Sequence, residues 1–104
     1  MIQLTAQTQI LICIQPADFR SQIDGLAALC RNKLNAQPNS GTLFAFINRH
    51  KTMIRFLCYR DQGYWIATKR LSRGKFKYWP ARPDTPVSPL AAEQLMKILR
   101  SGSC

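Results

Sequence analysis

The strongest constraint on this chain is a pair of eight-residue runs, Thr52–Tyr59 and Tyr64–Leu71, separated only by the polar break Arg60-Asp61-Gln62-Gly63. Both runs are rich in aromatic and β-branched residues, which fit the pleated, half-buried surface of a strand. A short polar break between two such runs predicts a β-hairpin. With Tyr59 placed opposite Tyr64, strand alternation sorts the side chains onto two faces. A second turn at Ser72-Arg73-Gly74 predicts a further strand over Lys75–Trp79, and Thr42–Asn48 reads as the strand before the hairpin. These four strands form an antiparallel meander.

One face of the expected meander collects Ile54, Phe56, Cys58, Trp65, Ala67, Lys69, Leu71, Lys77 and Trp79. The small Cys58 and Ala67 at its centre mark it as the core side, where a helix can approach closely. Lys69 and Lys77 then oppose each other, a like-charge pair that an anion such as phosphate would relieve. The other face carries Met53, Arg55, Leu57, Tyr59, Tyr64, Ile66, Thr68, Arg70, Phe76 and Tyr78, and reads as a platform of cations among aromatics.

Around the meander the sequence places three more elements. The apolar run Ile10–Ile14, closed by Gln15 and Pro16, suits a short strand buried on both faces. Asp18 is the expected N-cap of a helix whose apolar stripe is Phe19, Ile23, Leu26, Cys30 and Leu34, and the loop Asn35–Gly41 ends it. Pro80, Pro83 and Pro86 stiffen a connector over Pro80–Val87, after which Ser88 caps a second helix with Pro89 at its first position and Ala91, Leu95, Ile98 and Leu99 on its apolar side. The expectation is an α+β fold of order β-α-β-β-β-β-α over residues 1–104 as one domain: a short N-terminal strand, a four-stranded meander, and two helices packed mainly on one face.

Fifteen Lys and Arg against five Asp and Glu leave a net charge of +10, which favours a polyanionic partner, nucleic acid first; an acidic protein, an anionic membrane and a cationic surface kept for solubility are the alternatives. Ten of the fifteen cations fall between Arg49 and Arg82, interleaved with seven aromatics and accompanied by one acid, Asp61. Cations neutralise phosphates and aromatic faces stack on bases, so this middle is the candidate nucleic-acid surface. Its candidate phosphate contacts are Arg49, Lys51, Arg55, Lys69, Arg70, Arg73, Lys75 and Lys77; Tyr59, Tyr64, Tyr78 and Trp79 are candidates for stacking on bases or on a partner protein.

Other classes are poorly served. The five carboxylates Asp18, Asp24, Asp61, Asp84 and Glu93 have local duties as caps, turns or exposed helix residues, and they form no pair suited to metal-assisted phosphoryl transfer. His50 has no visible partner, and no phosphate-binding glycine loop or nucleophile elbow is present. Cys13, Cys30, Cys58 and Cys104 lack the spacing of a zinc site, and the first three sit in apolar patterns where a reduced thiol behaves as a small hydrophobe. The run Ile10–Ile14 is too short to span a bilayer and no basic segment precedes it. The expectation is a cytoplasmic, non-enzymatic protein without metal or cofactor.

Four segments in order, DFRSQIDGLAALC (18–30), SGTLFAFINRH (40–50), IRFLCYRDQGYWIATKRLSRGKFKYWP (54–80) and SPLAAEQLMKIL (88–99), resemble the TnpB-type accessory proteins. These are the second open reading frame of the bacterial insertion-sequence family numbered sixty-six. The matching positions include Asp18, Arg20, Asp24, Gly25, Leu26, Phe44, Phe46, Asp61, Gly63, Lys69, Arg70, Leu71, Gly74, Phe76, Trp79 and Pro80. The chain departs from the common pattern in one extra residue between Phe76 and Trp79, and in Tyr59 where many relatives carry tryptophan. The resemblance implies a protein that works beside a separate, larger transposase, with Arg20, Lys69 and Arg70 as its favoured functional residues. The competing reading is a protein-interaction module that docks on the transposase, or pairs with itself as a homodimer, without touching DNA.

Overall fold

The computed structural model describes residues 9–20, 22–81 and 87–101, the side chains of 87 and 88 excepted. Its elements run β1 (Ile10–Cys13), α1 (Ile23–Asn32), β2 (Leu43–Ile47), β3 (Met53–Arg60), β4 (Gly63–Arg70), β5 (Val87–Leu90) and α2 (Ala92–Leu99). The α+β class and the order β-α-β-β-β-β-α are as the sequence predicts. Most of the proline connector, with Arg82 and Asp84, lies outside the described residues, as does Cys104.

The β3–β4 hairpin has the expected register, Tyr59 against Tyr64 and Arg60 against Gly63. Its two-residue turn puts Asp61 at φ 55° and Gln62 at φ 66°. Two successive positive φ angles are the mark of a primed turn, whose twist matches that of the flanking strands. β2 pairs antiparallel with β3, and β1 lies parallel to β2 because α1 carries the chain back across the sheet between them. β5 adds antiparallel to the other side of β1, giving the strand order β4-β3-β2-β1-β5.

Both faces of this sheet are apolar, so each needs a cover. α1 lays Leu26, Ala27 and Cys30 against Cys13, Phe44, Phe46 and Leu57, and Leu34 closes the same cluster. α2 covers the opposite face, where Leu95 meets Ile10, Leu43 and Cys58 while Ile98 meets Ile12, Ala45, Ile47 and Ile54. The alternation of β1, β2 and β3 thus feeds two cores, and the expectation that both helices pack mainly on one face is corrected. All five residues of β2 are buried, as a central strand between two covers requires.

Three local expectations are also overturned. Lys75–Trp79 is not a strand, and among the described residues no strand pairs with the outer edge of β4. The segment instead crosses the end of the sheet: the Phe76 amide donates to the Lys51 carbonyl at 2.8 Å, and the Phe76 ring, 3% exposed, plugs the α2-side core between Ile47, Ile54 and Ile98. Ser88 and Pro89 do not start the second helix; they belong to β5, an edge strand, where a residue without an amide proton is tolerated. The N-cap of α2 is Ala91, whose amide donates to the Gln94 Oε1 at 3.0 Å. Asp18 likewise does not cap α1, which begins after Gln22.

Candidate nucleic-acid interface

The topology brings one set of loops to one end of the sheet. β1 and β2 finish there, β3 starts there, and β4 ends there. Five segments are stitched together at this end. Ala17 N–H donates to the Ile47 carbonyl at 2.9 Å, tying the β1–α1 loop to β2. Leu71 N–H donates to the Thr52 carbonyl at 2.9 Å, and the Phe76 bond to Lys51 holds the 71–79 segment against the β2–β3 loop. The indole N–H of Trp79 donates to the Cys13 carbonyl at 3.2 Å, and Ser101, just beyond α2, exchanges hydrogen bonds with the backbone of Lys77 at 2.7 and 3.1 Å.

The β2–β3 loop is shaped by a residue that the sequence reading passed over. Asn48, 8% exposed, accepts from the amides of Thr52 and Met53 through Oδ1 at 2.9 and 3.0 Å and donates from Nδ2 to Thr52 Oγ1 at 2.9 Å. Lys51 N–H closes back on the Asn48 carbonyl at 3.1 Å with Lys51 at φ 60°. An asparagine before a short polar turn is the residue that bonds its own backbone a few residues on, and that was the available signal. The result is a rigid loop that leaves Arg49, His50 and Lys51 exposed.

Arg49, Lys51, Arg70, Arg73, Lys75 and Lys77 are all exposed at this end, on three adjacent segments. No ion pair engages any of them among the described residues. A cleft of about 820 Å³ lies between the β1–α1 loop and Arg49, lined by Gln15, Pro16, Asp18, Arg20 and Asn48 among others. Beside it, a cleft of about 440 Å³ runs from Pro16 and Lys51 to Trp79 and Pro80. Among the described residues, Asp18 is the one carboxylate lining either cleft.

The remaining expected contacts have other partners. Asp18 grips Arg20 in a fork of 2.8–3.1 Å bonds and also accepts from its backbone amide. The guanidinium holds the Asp18 carboxyl well below its usual range, at about 2. Lys69 does not oppose Lys77; its ammonium donates to the Leu99 carbonyl at 2.8 Å, where a cation meets the negative end of the α2 dipole. Arg55 stacks over the Phe19 ring at 4.7 Å, bonds the Phe19 carbonyl and reaches Thr68 Oγ1. Tyr59 and Tyr64 pack edge to face at the opposite end of the sheet, both half-buried, with Tyr64 against the α1-side core. The expected open platform is therefore roofed by α1 and its leading loop. Tyr78 is different: it is 62% exposed at φ 69°, with the Lys97 ammonium 4.6 Å from its ring centre.

The chemistry of this end is that of an anion surface. Among the described residues no group of three metal-ligating side chains is present, and no helix is long and apolar enough to cross a membrane. Cys13, Cys30 and Cys58 are free and buried, as expected of thiols used for packing.

Known proteins fix where the chain belongs. It is 33% identical over 82 residues to the uncharacterized protein y4jC of Sinorhizobium fredii (strain NBRC 101917 / NGR234), covering 79% of this chain and 70% of the relative. It is 30% identical over 99 residues to the uncharacterized protein y4hO of the same strain, covering 95% and 84%. No solved structure matches significantly. The model of the IS66 Orf2-like proteins matches residues 8–103, and the chain belongs to that family of insertion-sequence proteins.

Proposed function

We propose that this transposition-associated protein is a non-catalytic accessory subunit that binds DNA phosphates through the loop-bearing end of its sheet while a separate transposase performs the chemistry. The observation that carries the reading is the convergence of Arg49, Lys51, Arg70, Arg73, Lys75 and Lys77 on one exposed end, without ion pairs among the described residues. Folding gathers like charges there at a cost in mutual repulsion, and a polyanion relieves that cost. The contacts are to phosphate, so they supply affinity and salt dependence more than sequence reading.

The test compares two charge reversals of equal size. Lys51→Glu combined with Lys75→Glu removes cations from the proposed surface; Arg31→Glu combined with Arg60→Glu removes the same charge from the other end of the sheet. In salt-titrated gel shifts the first pair is expected to lower the log–log slope by about 2, at roughly 0.9 per phosphate, and the second to leave it nearly unchanged. Equal losses from both pairs would show a diffuse charge effect and refute the assignment.

One observation favours a contact with the transposase in addition. A tyrosine in the left-handed region costs on the order of 1 kcal/mol, and Tyr78 holds that conformation while presenting its ring to solvent beside Met96 and Lys97. Co-purification with the transposase that is lost on Tyr78→Ala and retained on Lys51→Glu would place the protein contact there.

A further inference from the structure

We infer that the cleft walled by Pro16, Trp79 and Pro80 receives a nucleobase from an unpaired DNA strand whose phosphates lie on Lys51 and the neighbouring loop cations. The inference rests on the phosphate-binding reading and names the form of DNA that the same surface selects.

The cleft has the composition of a base site. Ile14, Ile47, Pro16, Trp79, Pro80 and Ala81 are its apolar lining residues, and Gln15 and Lys51 are the polar ones among the described residues. At about 440 Å³ it is roomy enough for a heterocycle and too open to be a sealed packing void. The indole N–H of Trp79 already donates to the Cys13 carbonyl, so what the ring offers is its π surface. That bond, with the packing of Trp79 against the α2-side core, fixes the ring in advance and spares a ligand the entropy of ordering it. Gln15 supplies both a donor and an acceptor for the edge of a base.

Position supplies the second half of the argument. Lys51 belongs to the cleft and to the basic loop at once, and its carbonyl is tied to the Phe76 amide of the segment that carries Trp79. An aromatic wall beside a row of cations is the arrangement by which proteins hold single strands, with backbone charge and base stacking satisfied together. In a duplex the bases are stacked and paired, so entering a side cleft requires one to be unpaired, as at a frayed end or in a displaced strand.

The experiment uses the Trp65→Phe protein, in which Trp79 is the remaining tryptophan of the two in the chain. An oligothymidylate, an abasic oligomer of equal phosphate number and a blunt duplex are titrated at several salt concentrations while Trp79 emission is followed. All three should bind with steep salt dependence; the oligothymidylate alone should quench Trp79, and it should bind roughly 5- to 150-fold more tightly than the abasic strand. Ala81→Phe, which fills the cleft from its exposed rim, should abolish the quench and reduce thymidylate affinity to the abasic level without changing abasic binding. Equal affinity for the base-bearing and abasic strands with no quench, or a quench that survives Ala81→Phe, would overturn the base site while leaving phosphate binding standing. Failure of all three to bind even in dilute buffer would instead overturn the phosphate reading beneath it.

Discussion

Asn48→Ala removes no charge, yet it should weaken the basic end more than many charge deletions. The side chain makes three hydrogen bonds within the β2–β3 loop, two accepted from the Thr52 and Met53 amides and one donated to Thr52 Oγ1. At roughly 1 kcal/mol each, their loss costs about 3 kcal/mol, and any freed amide that stays buried adds to it. For a domain of this size that is a fall in Tm of about 12–20 °C, large but within the stability of an ordinary fold. Asn48→Asp is the internal control. It keeps both accepted bonds and lets the Thr52 hydroxyl donate in place of the amide, so its cost should stay near 1 kcal/mol or below. Thermal melts followed by circular dichroism give the stabilities. Gel shifts at a temperature where both variants are folded then isolate the loop, and Asn48→Ala should bind DNA more weakly than Asn48→Asp although the latter carries the extra negative charge. A melt within 0.5 kcal/mol of the parent, or normal binding by Asn48→Ala, would refute the claim that this residue holds the loop in its binding shape.

Asp18→Asn should free Arg20 and raise the salt slope of DNA binding by about one phosphate, 0.7–0.9, with little change in Tm because the pair is exposed. The depressed Asp18 carboxyl makes its small contribution above its ordinary value of 3.8 and loses it as pH falls toward about 2, so acidifying the parent to pH 4 should not reproduce the variant. Burial pushes the Cys30 thiol up to about 12 and the Cys13 thiol upward as well. The folded state therefore keeps protons that the unfolded chain releases, and stability present below about pH 9 should decline as pH rises toward 12. Cys30→Ala should be less stable at pH 7 and show a shallower alkaline decline; parallel declines in melts at pH 7, 9 and 10 would contradict the assignment.

The parts legible in the sequence are those set by neighbours along the chain. The Tyr59–Tyr64 register follows from two apolar runs and the turn between them, and the face alternation of β3 and β4 follows from that register. The buried character of Ile10–Cys13 and Leu43–Ile47 was equally readable from their unbroken apolar runs. Those runs also required covers on both faces, and the one-face placement of the helices overlooked that demand. The behaviour of residues 75–79 was hidden because its causes are distant: Lys51 receives the Phe76 amide, Cys13 the Trp79 indole, and Ser101 binds the backbone of Lys77. Ser88-Pro89 carries a helix-start signature and still becomes strand, since the exposed side of β1 offered a backbone ladder that local pattern does not display. Of the candidate site, the loop cations were readable from composition, whereas the partners of Arg20, Arg55 and Lys69 depended on a fold that places Asp18, Phe19 and Leu99 beside them.

The pairing of β1 with β5 governs the order in which the molecule can be completed. β1 is made early, yet one of its two hydrogen-bonding edges and one of its two apolar faces are filled by residues 87–99. Until those residues leave the ribosome, the nascent chain carries an open strand edge beside an uncovered apolar face, the combination that recruits other chains into aggregates. Closure must also bring together segments from far apart in the sequence, which slows folding. A ribosome stalled before residue 87 thus leaves a chain with its basic loops translated and its sheet unsealed, so the amount of functional protein depends on finishing translation as well as on starting it.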